Sequence, residues 1–351
     1  MEKSDIRKRL FCFDGKTLGE WYGYVKEWRA SESQSSQPAQ LSDLKEPTMK
    51  LILDCLPVKD RLNFRNTSTK LQNISDSHPL HCKELKLNIC YDAACLRLDN
   101  LELMFDSVEN TPRGKIIQRD HVKRALRRLK MILKIPELKL ENVTIKVASC
   151  GNKEWQKEIN IALASFNRFL ESLPHEIYVE NLRIQCANLE IMNLLLPFIT
   201  PKVLKCIEHT GVEVKVYGAT DNEDTKRIQD ISMTDQWWKA RELRMCHNFA
   251  YLINYFGSFG RFRLITLLPP FSRIQEVRLI KSILLKLSPR QILTMRISVT
   301  DFEEICEKYR YCMTIIQKDR HAVYKYFDEE TFDIGLKLVG QEYYAKIRRR
   351  L

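Results

Sequence analysis

Beyond Ser77 the chain alternates two kinds of apolar pattern, and no other feature narrows its fold as much. Leu85, Leu87, Ile89 and Tyr91 alternate with polar residues; so do Val143, Ile145 and Val147, then Leu182, Ile184 and Cys186, then Leu243 and Met245, then Met295, Ile297 and Val299. A period of two marks a strand with one buried face. Between these runs, apolar residues recur at helical spacing: Val122, Ala125, Leu126, Leu129, Ile132 and Leu133; Ile159, Ala162, Leu163, Phe166, Phe169, Leu170 and Leu173; Val277, Ile280, Leu284 and Leu287. Neither pattern can bury its apolar side alone, so together they require a layered α/β body.

The units repeat loosely. Ile145 and Ile184 hold the same place in neighbouring units, and weaker strand candidates at 204–207 and 264–267 subdivide the longer gaps. Helix–strand units with a Leu-x-Ile or Leu-x-Met core read as a leucine-rich-repeat-like solenoid with strands lining one face. Because the period is irregular, a doubly wound α/β sheet is the competing architecture. At the end, 322–327, 332–339 and 343–347 read as a small β-meander closing the array.

Upstream the pattern differs. In 43–78, Leu44, Met49, Ile52, Leu53 and Leu56 recur at helical spacing until Pro57 stops the run. Asp60 stands where a second helix would take its N-cap, ahead of Leu62 and Phe64, and 70–74 add a third short helix with Leu71 and Ile74 inward. Helices this short cannot bury all their apolar faces on one another, so part of that surface is expected to meet a partner or the next domain. Residues 30–42, made largely of Ser, Gln, Ala and Pro, read as a linker. Residues 1–29 carry Leu10, Phe11, Phe13, Leu18, Trp21, Tyr22, Tyr24, Val25 and Trp28 and read as a short helical head that docks on something, too small for a core of its own.

Residues 44–77 resemble an F-box. Leu44, Met49, Ile52, Leu53 and Leu56 match its first helix, Pro57-Val58-Lys59-Asp60-Arg61-Leu62 its turn, and Phe64-Arg65-Asn66-Thr67-Ser68 its second part, with Leu71 and Ile74 after it. Lys45 stands where the family pattern has proline, and Pro47 where it has an acidic residue. The phrases LRRLKMILKIPELKLENVTIKV, FNRFLESLPHEIYVENLRIQCANLEIMNLLLPFI, QWWKARELRMC and FSRIQEVRLIKSILLKLSPRQILTMRIS are similar to the helix–strand units of the FTH domain of the F-box A family, a group expanded in nematodes. Members often carry a transposase-like helix-turn-helix before the F-box, which would make the head a shortened relic of it.

The resemblance implies a fold and a job. An all-α F-box-like module (43–78) would precede a leucine-rich-repeat-like α/β domain (79–351). The module would dock on the S-phase-kinase-associated adaptor of a cullin–RING ubiquitin ligase through Leu44, Met49, Ile52, Leu53, Leu56, Pro57, Asp60, Leu62, Phe64 and Leu71, while the repeat domain holds a protein substrate for ubiquitin-dependent degradation. The alternative is a protein- or nucleic-acid-binding repeat protein whose degenerate F-box has no ligase role.

Composition and motifs bound the remaining classes. The chain has 57 Lys+Arg against 45 Asp+Glu, a formal charge of +12, which bears on association rather than fold. On a helix over 119–134, Arg119, Lys123, Arg127, Lys130 and Lys134 share one polar face, a stripe that could track a phosphate backbone or simply be solvated. No aromatic is interleaved there to stack on bases. The opening segment lacks the pattern of a secretory signal, and the most apolar stretch, 252–271, is cut by Arg261 and Arg263, so a membrane span is not expected. Eleven cysteines without a C-x-x-C pair fit reduced thiols and a cytoplasmic or nuclear setting.

No G-x-S-x-G, phosphate loop, H-E-x-x-H or Rossmann glycine run is present, so neither enzyme chemistry nor a cofactor is expected. His78, His81, Cys82, Cys90 and Cys95 lie close together but lack the second tight pair of a zinc site, and no metal is expected. In Trp237-Trp238 and Tyr343-Tyr344 one ring can face the core and its neighbour the surface. The glycines of FGSFGRF (256–262) suggest a tight turn.

Overall fold

The computed structural model describes residues 44–110, 116–118, 120–148, 152–186, 189–211, 221–246, 262–268, 292–297, 313–316, 321–325, 331–339 and 342–349. The head, the linker, the 277–287 helix, the 256–261 part of the turn, Arg119 and Val299 lie outside the described residues.

Three helices open the structure. The first, α1 (Glu46–Cys55), begins where the Lys45 carbonyl accepts the N–H groups of Thr48 and Met49 at 3.0 and 3.1 Å. It ends at Leu56, which the following proline forces into an extended conformation. Helix α2 (Val58–Arg65) starts three residues earlier than expected: Pro57, with φ −55, occupies the N-cap, and Asp60 instead lies in the first turn. There its carboxylate still faces the exposed N–H end of the helix dipole. Helix α3 (Thr69–Asp76) is capped by Ser68, whose Oγ accepts the Leu71 N–H at 3.3 Å. Met49, Leu53, Phe64, Leu71 and Ile74 form a small core of their own, and Arg65 forks onto the Asp76 carboxylate at 2.6 and 3.0 Å to lock α2 to α3.

The rest builds on strands β1 (Leu80–Ile89), β2 (Ala93–Leu98), β3 (Leu101–Asp106) and a separate hairpin of β4 (Val108–Asn110) and β5 (Ile116–Gln118). Then follow α4 (His121–Leu133), β6 (Leu138–Val147), α5 (Lys153–Glu171), β7 (Tyr178–Gln185), α6 (Glu190–Leu195), β8 (Cys206–Thr210), α7 (Asp221–Ser232), α8 (Asp235–Lys239), β9 (Glu242–Cys246), β10 (Leu264–Leu268) and β11 (Ile292–Ile297). Strands β12 (Met313–Ile316), β13 (His321–Lys325), β14 (Thr331–Val339) and β15 (Glu342–Arg349) close the chain. Among the described residues, one 13-stranded mixed sheet takes all strands but the hairpin, in the order β12-β13-β14-β15-β11-β10-β9-β8-β7-β6-β1-β2-β3. From β1 through β6 to β11 the strands are parallel and follow chain order, without the reversal a doubly wound sheet requires. The meander pairs antiparallel as expected of 322–347, but its last strand, β15, joins it to β11.

Alternation sets the layers. Leu85, Leu87, Ile89, Val143, Ile145, Leu182, Ile184, Ile207, Leu243 and Ile265 are buried with the apolar faces of α4 and α5 in one continuous core. Lys86, Thr144, Arg183, Arg244 and Thr266 occupy one register row across β1, β6, β7, β9 and β10, on the face opposite that core. The antiparallel pair β2–β3 escapes the sequence reading, although Ala94, Leu96 and Leu98 alternate ahead of a tight turn at Asp99, whose φ is 50.

Strand phase slips at matching places. In β1, β6 and β7 two successive residues leave the core together: Lys83–Glu84, Glu141–Asn142 and Glu180–Asn181. Each slip frees a carbonyl that the next strand takes up. Asn142 Nδ2 donates to the Lys83 carbonyl at 3.0 Å, Asn181 Nδ2 to the Glu141 carbonyl at 3.1 Å, and the Lys205 N–H to the Glu180 carbonyl at 2.7 Å. The series continues with the Arg241 and Glu242 N–H groups on the Lys205 carbonyl, both at 2.9 Å, and Arg263 on Arg241 at 2.7 Å. On the outer side of β1 stands an antiparallel strand instead of a repeat, and Asp99 Oδ1 accepts the Lys83 and Glu84 N–H groups, each at 2.8 Å. Asn181→Ala, which strands the Glu141 carbonyl and Asn142 Oδ1, is expected to cost about 1 kcal/mol in urea unfolding; an unchanged midpoint would rule out the ladder as a stabilising device.

Thiols report the same burial. Cys82, Cys186 and Cys206 are buried and Cys55 is exposed. Burial pushes the Cys82 thiol up to about 12 and Cys206 to about 11. Because the fold favours the protonated thiols, their stabilisation is complete below the ordinary thiol range and fades as pH rises from there through those values. In mass-spectrometric alkylation at roughly pH 8, Cys55 should react first and Cys82 and Cys206 only on unfolding; equal rates would contradict the packing.

Candidate docking surfaces

The residues expected to meet a ligase adaptor divide into two groups. Met49, Ile52, Leu53, Phe64 and Leu71 are buried in this chain, and all but Ile52 belong to the core that holds the three helices together. Leu44, Leu56, Asp60 and Leu62 are half-buried and Pro57 is exposed. Leu51, which helical spacing did not single out, is 38% exposed on the outer side of α1 beside exposed Asp54 and Cys55. On so short a helix, an apolar residue one step off the stripe carries no signal that it faces outward.

The inner side of the module is joined to the sheet. Val58 and Leu62 pack against the large core. Arg61 is buried, and its Nη2 donates to the carbonyls of His78 and Pro79, both at 2.7 Å, just ahead of β1. Burial lowers the Arg61 guanidinium below its usual range, partly offset by the nearby Asp54 carboxylate. Asp54 also meets His78 Nε2 at 2.7 Å, so α1 and α2 both hold the segment entering the sheet.

The face of the sheet opposite the large core is polar and ordered by register. Arg97 pairs with Glu84 at 2.5 Å, Arg183 with Glu208 at 2.9 Å, and Arg244 with Glu242 at 2.9 Å and Glu208 at 3.9 Å. Glu208 stands directly between Arg183 and Arg244 on the neighbouring strands, whereas Glu84 reaches Arg97 on the diagonal and Glu242 precedes Arg244 by two residues on β9.

The F-box domain model matches residues 41–83 and the FTH domain model matches residues 160–308. The chain is an F-box protein with a C-terminal FTH domain. No curated protein matches it. The F-box match runs into β1 as far as Lys83, and the FTH match begins inside α5, so β2, β3 and β6 lie between the two matches yet belong to the same sheet.

Elsewhere in this F-box protein, the α4 stripe is exposed at Lys123, Arg127 and Lys134 and half-buried at Lys130. The helix itself begins at His121, because Asp120 caps it by accepting the Lys123 N–H at 2.8 Å. The His/Cys group does not converge. His78 faces Asp54, Cys82 is buried, Cys95 Sγ donates to Glu102 at 3.2 Å, and the Cys90 carbonyl meets His121 at 3.0 Å. Among the described residues no group of His, Cys, Asp and Glu could hold a metal ion, and no helix is long and apolar enough to cross a membrane. Trp237 is buried edge-on against Phe262 at 4.8 Å, and Trp238 is 41% exposed. The side chains of Tyr343 and Tyr344 lie outside the described residues.

Proposed function

We propose that this F-box protein is a non-catalytic substrate-recognition subunit of a cullin–RING ubiquitin ligase, working in the cytoplasm or nucleus. The F-box would dock on the S-phase-kinase-associated adaptor, which in turn joins the cullin. The carrying observation is the polarity of the helical module: a self-contained core, an inner side bonded to the sheet through Arg61 and packed on it through Val58 and Leu62, and an outer side where Leu51 is exposed and Leu44, Leu56 and Pro57 are at least partly accessible. Partly exposed apolar side chains around a rigid support are what a partner can desolvate. Within the ten expected contact residues, the burial of Met49, Ile52, Leu53, Phe64 and Leu71 gives them the supporting role.

The repeat domain would hold the substrate on its open sheet face. We read it as a leucine-rich-repeat-like solenoid, a view supported by parallel strands in chain order, recurring phase slips and a carbonyl ladder between them. A second reading, a protein- or nucleic-acid-binding repeat protein outside any ligase, draws on the exposed basic stripe of α4 and on Lys45 and Pro47 in place of the usual F-box residues.

Co-purification of the full chain with the purified adaptor tests the ligase reading. Wild type is expected to bind. If it does not, and Lys45→Pro with Pro47→Glu creates binding, the module is a relic; both positions are exposed at the start of α1, where proline and an acidic residue suit the helix.

A further inference from the structure

Helices α4 and α5 lie side by side over the sheet and run parallel. Lys123 feels the Glu158 carboxylate, and seven residues on, Lys130 Nζ donates to the Ser165 carbonyl at 2.9 Å and to its Oγ at 3.2 Å. The same offset sets Arg127 opposite the Ile161–Ala162 step. Ala162 is buried, whereas Ile161 is 54% exposed, an apolar side chain at the edge of α5 beside the groove between the two helices.

Beyond Lys123 and Glu158, charge along this groove is one-sided. Lys123 is paired with Asp120, but among the described residues no carboxylate lies within ion-pair reach of Arg127, Lys130, Lys134 or Arg168. Lys130 is lowered from its ordinary value by burial and then by Arg168 and Lys134, which reports their mutual repulsion. On the open sheet face Arg97, Arg183 and Arg244 meet carboxylates, whereas the cations clustered along this groove do not.

The geometry points to this groove as a binding site for an acidic segment of a partner protein that lays an apolar side chain on Ile161 beside the basic side chains. Carboxylates would replace the missing counter-charges, and burying Ile161 would add the contact that charge alone cannot supply. A phosphate backbone would satisfy the charge but leave Ile161 unused, and no described aromatic side chain is exposed in the groove to stack on bases. The site is independent of the ligase reading, since binding is read on the full chain without the adaptor.

The probe is a fluorescent peptide of repeated Glu-Glu-Leu units, measured by anisotropy at physiological salt against a polyglutamate peptide of equal length, a duplex DNA oligonucleotide and phosphatidylserine vesicles. The Glu-Glu-Leu peptide is expected to bind tightest. Arg127→Glu with Lys134→Glu should weaken it about tenfold, and Ile161→Ser several-fold, both with unchanged melting because all three side chains are exposed. Polyglutamate binding as tightly, tighter binding to DNA or vesicles, or indifference to either variant would each overturn the proposal.

Discussion

Leu53→Asp is expected to unfold the helical module, at a cost above about 4 kcal/mol. Leu53 is 1% exposed and packs with Met49, Phe64 and Leu71, so a carboxylate there would be buried without a partner. Leu51→Asp sits on the other side of the same helix and should change stability by less than about 0.5 kcal/mol. Under the proposed function both variants lose adaptor binding, but for different reasons. Thermal melting separates them: Leu53→Asp should lose the module's transition, whereas Leu51→Asp should melt like wild type and still fail to bind. A Leu51→Asp protein that binds normally would remove the outer side of α1 from the adaptor surface.

Arg61→Ala is expected to cost about 3 kcal/mol and to uncouple the F-box from the sheet. It removes two charge-assisted bonds, to the carbonyls of His78 and Pro79, and leaves both without that donor at the junction. The loss is moderated because Arg61 is itself costly to bury: its Nε has no hydrogen-bond partner. The readout is hydrogen exchange. In wild type the amides of α1 to α3 and of β1 should open together; in the variant the helices should open first. If the two segments stay coupled, the apolar contacts of Val58 and Leu62 hold the junction alone.

Much of the architecture is written locally. The alternations at Leu85–Ile89, Val143–Val147 and Leu182–Ile184 fall within strands, and the helical faces at 122–133 and 159–170 are buried as spaced. Each signal there is a period inside one element, which depends only on which side faces the core. The β2–β3 pair has no clear local signal because its alternation spans few residues and lies among cysteines that also resemble metal ligands. Asp60 is not the N-cap because proline there presets the backbone that a capping side chain would otherwise select. The exposure of Leu51 and the burial of Arg61 had no local sign, since each depends on what lies across from a helix of only a few turns.

The sequence by itself determined the succession of helical module, helix–strand repeats and terminal meander, because hydrophobic period is a property of consecutive residues. It also carried the repeated Glu-Asn words at 141–142 and 180–181 without giving them a meaning. Tertiary structure alone decided that these asparagines bridge successive strands, that Asp99 takes up the N–H groups on the other side of β1, and that Arg183 and Arg244 are paired while, among the described residues, Arg127 and Lys134 meet no carboxylate. Pairing of charges and carbonyls depends on strand register and helix offset, distances between residues far apart in the chain that no local pattern encodes.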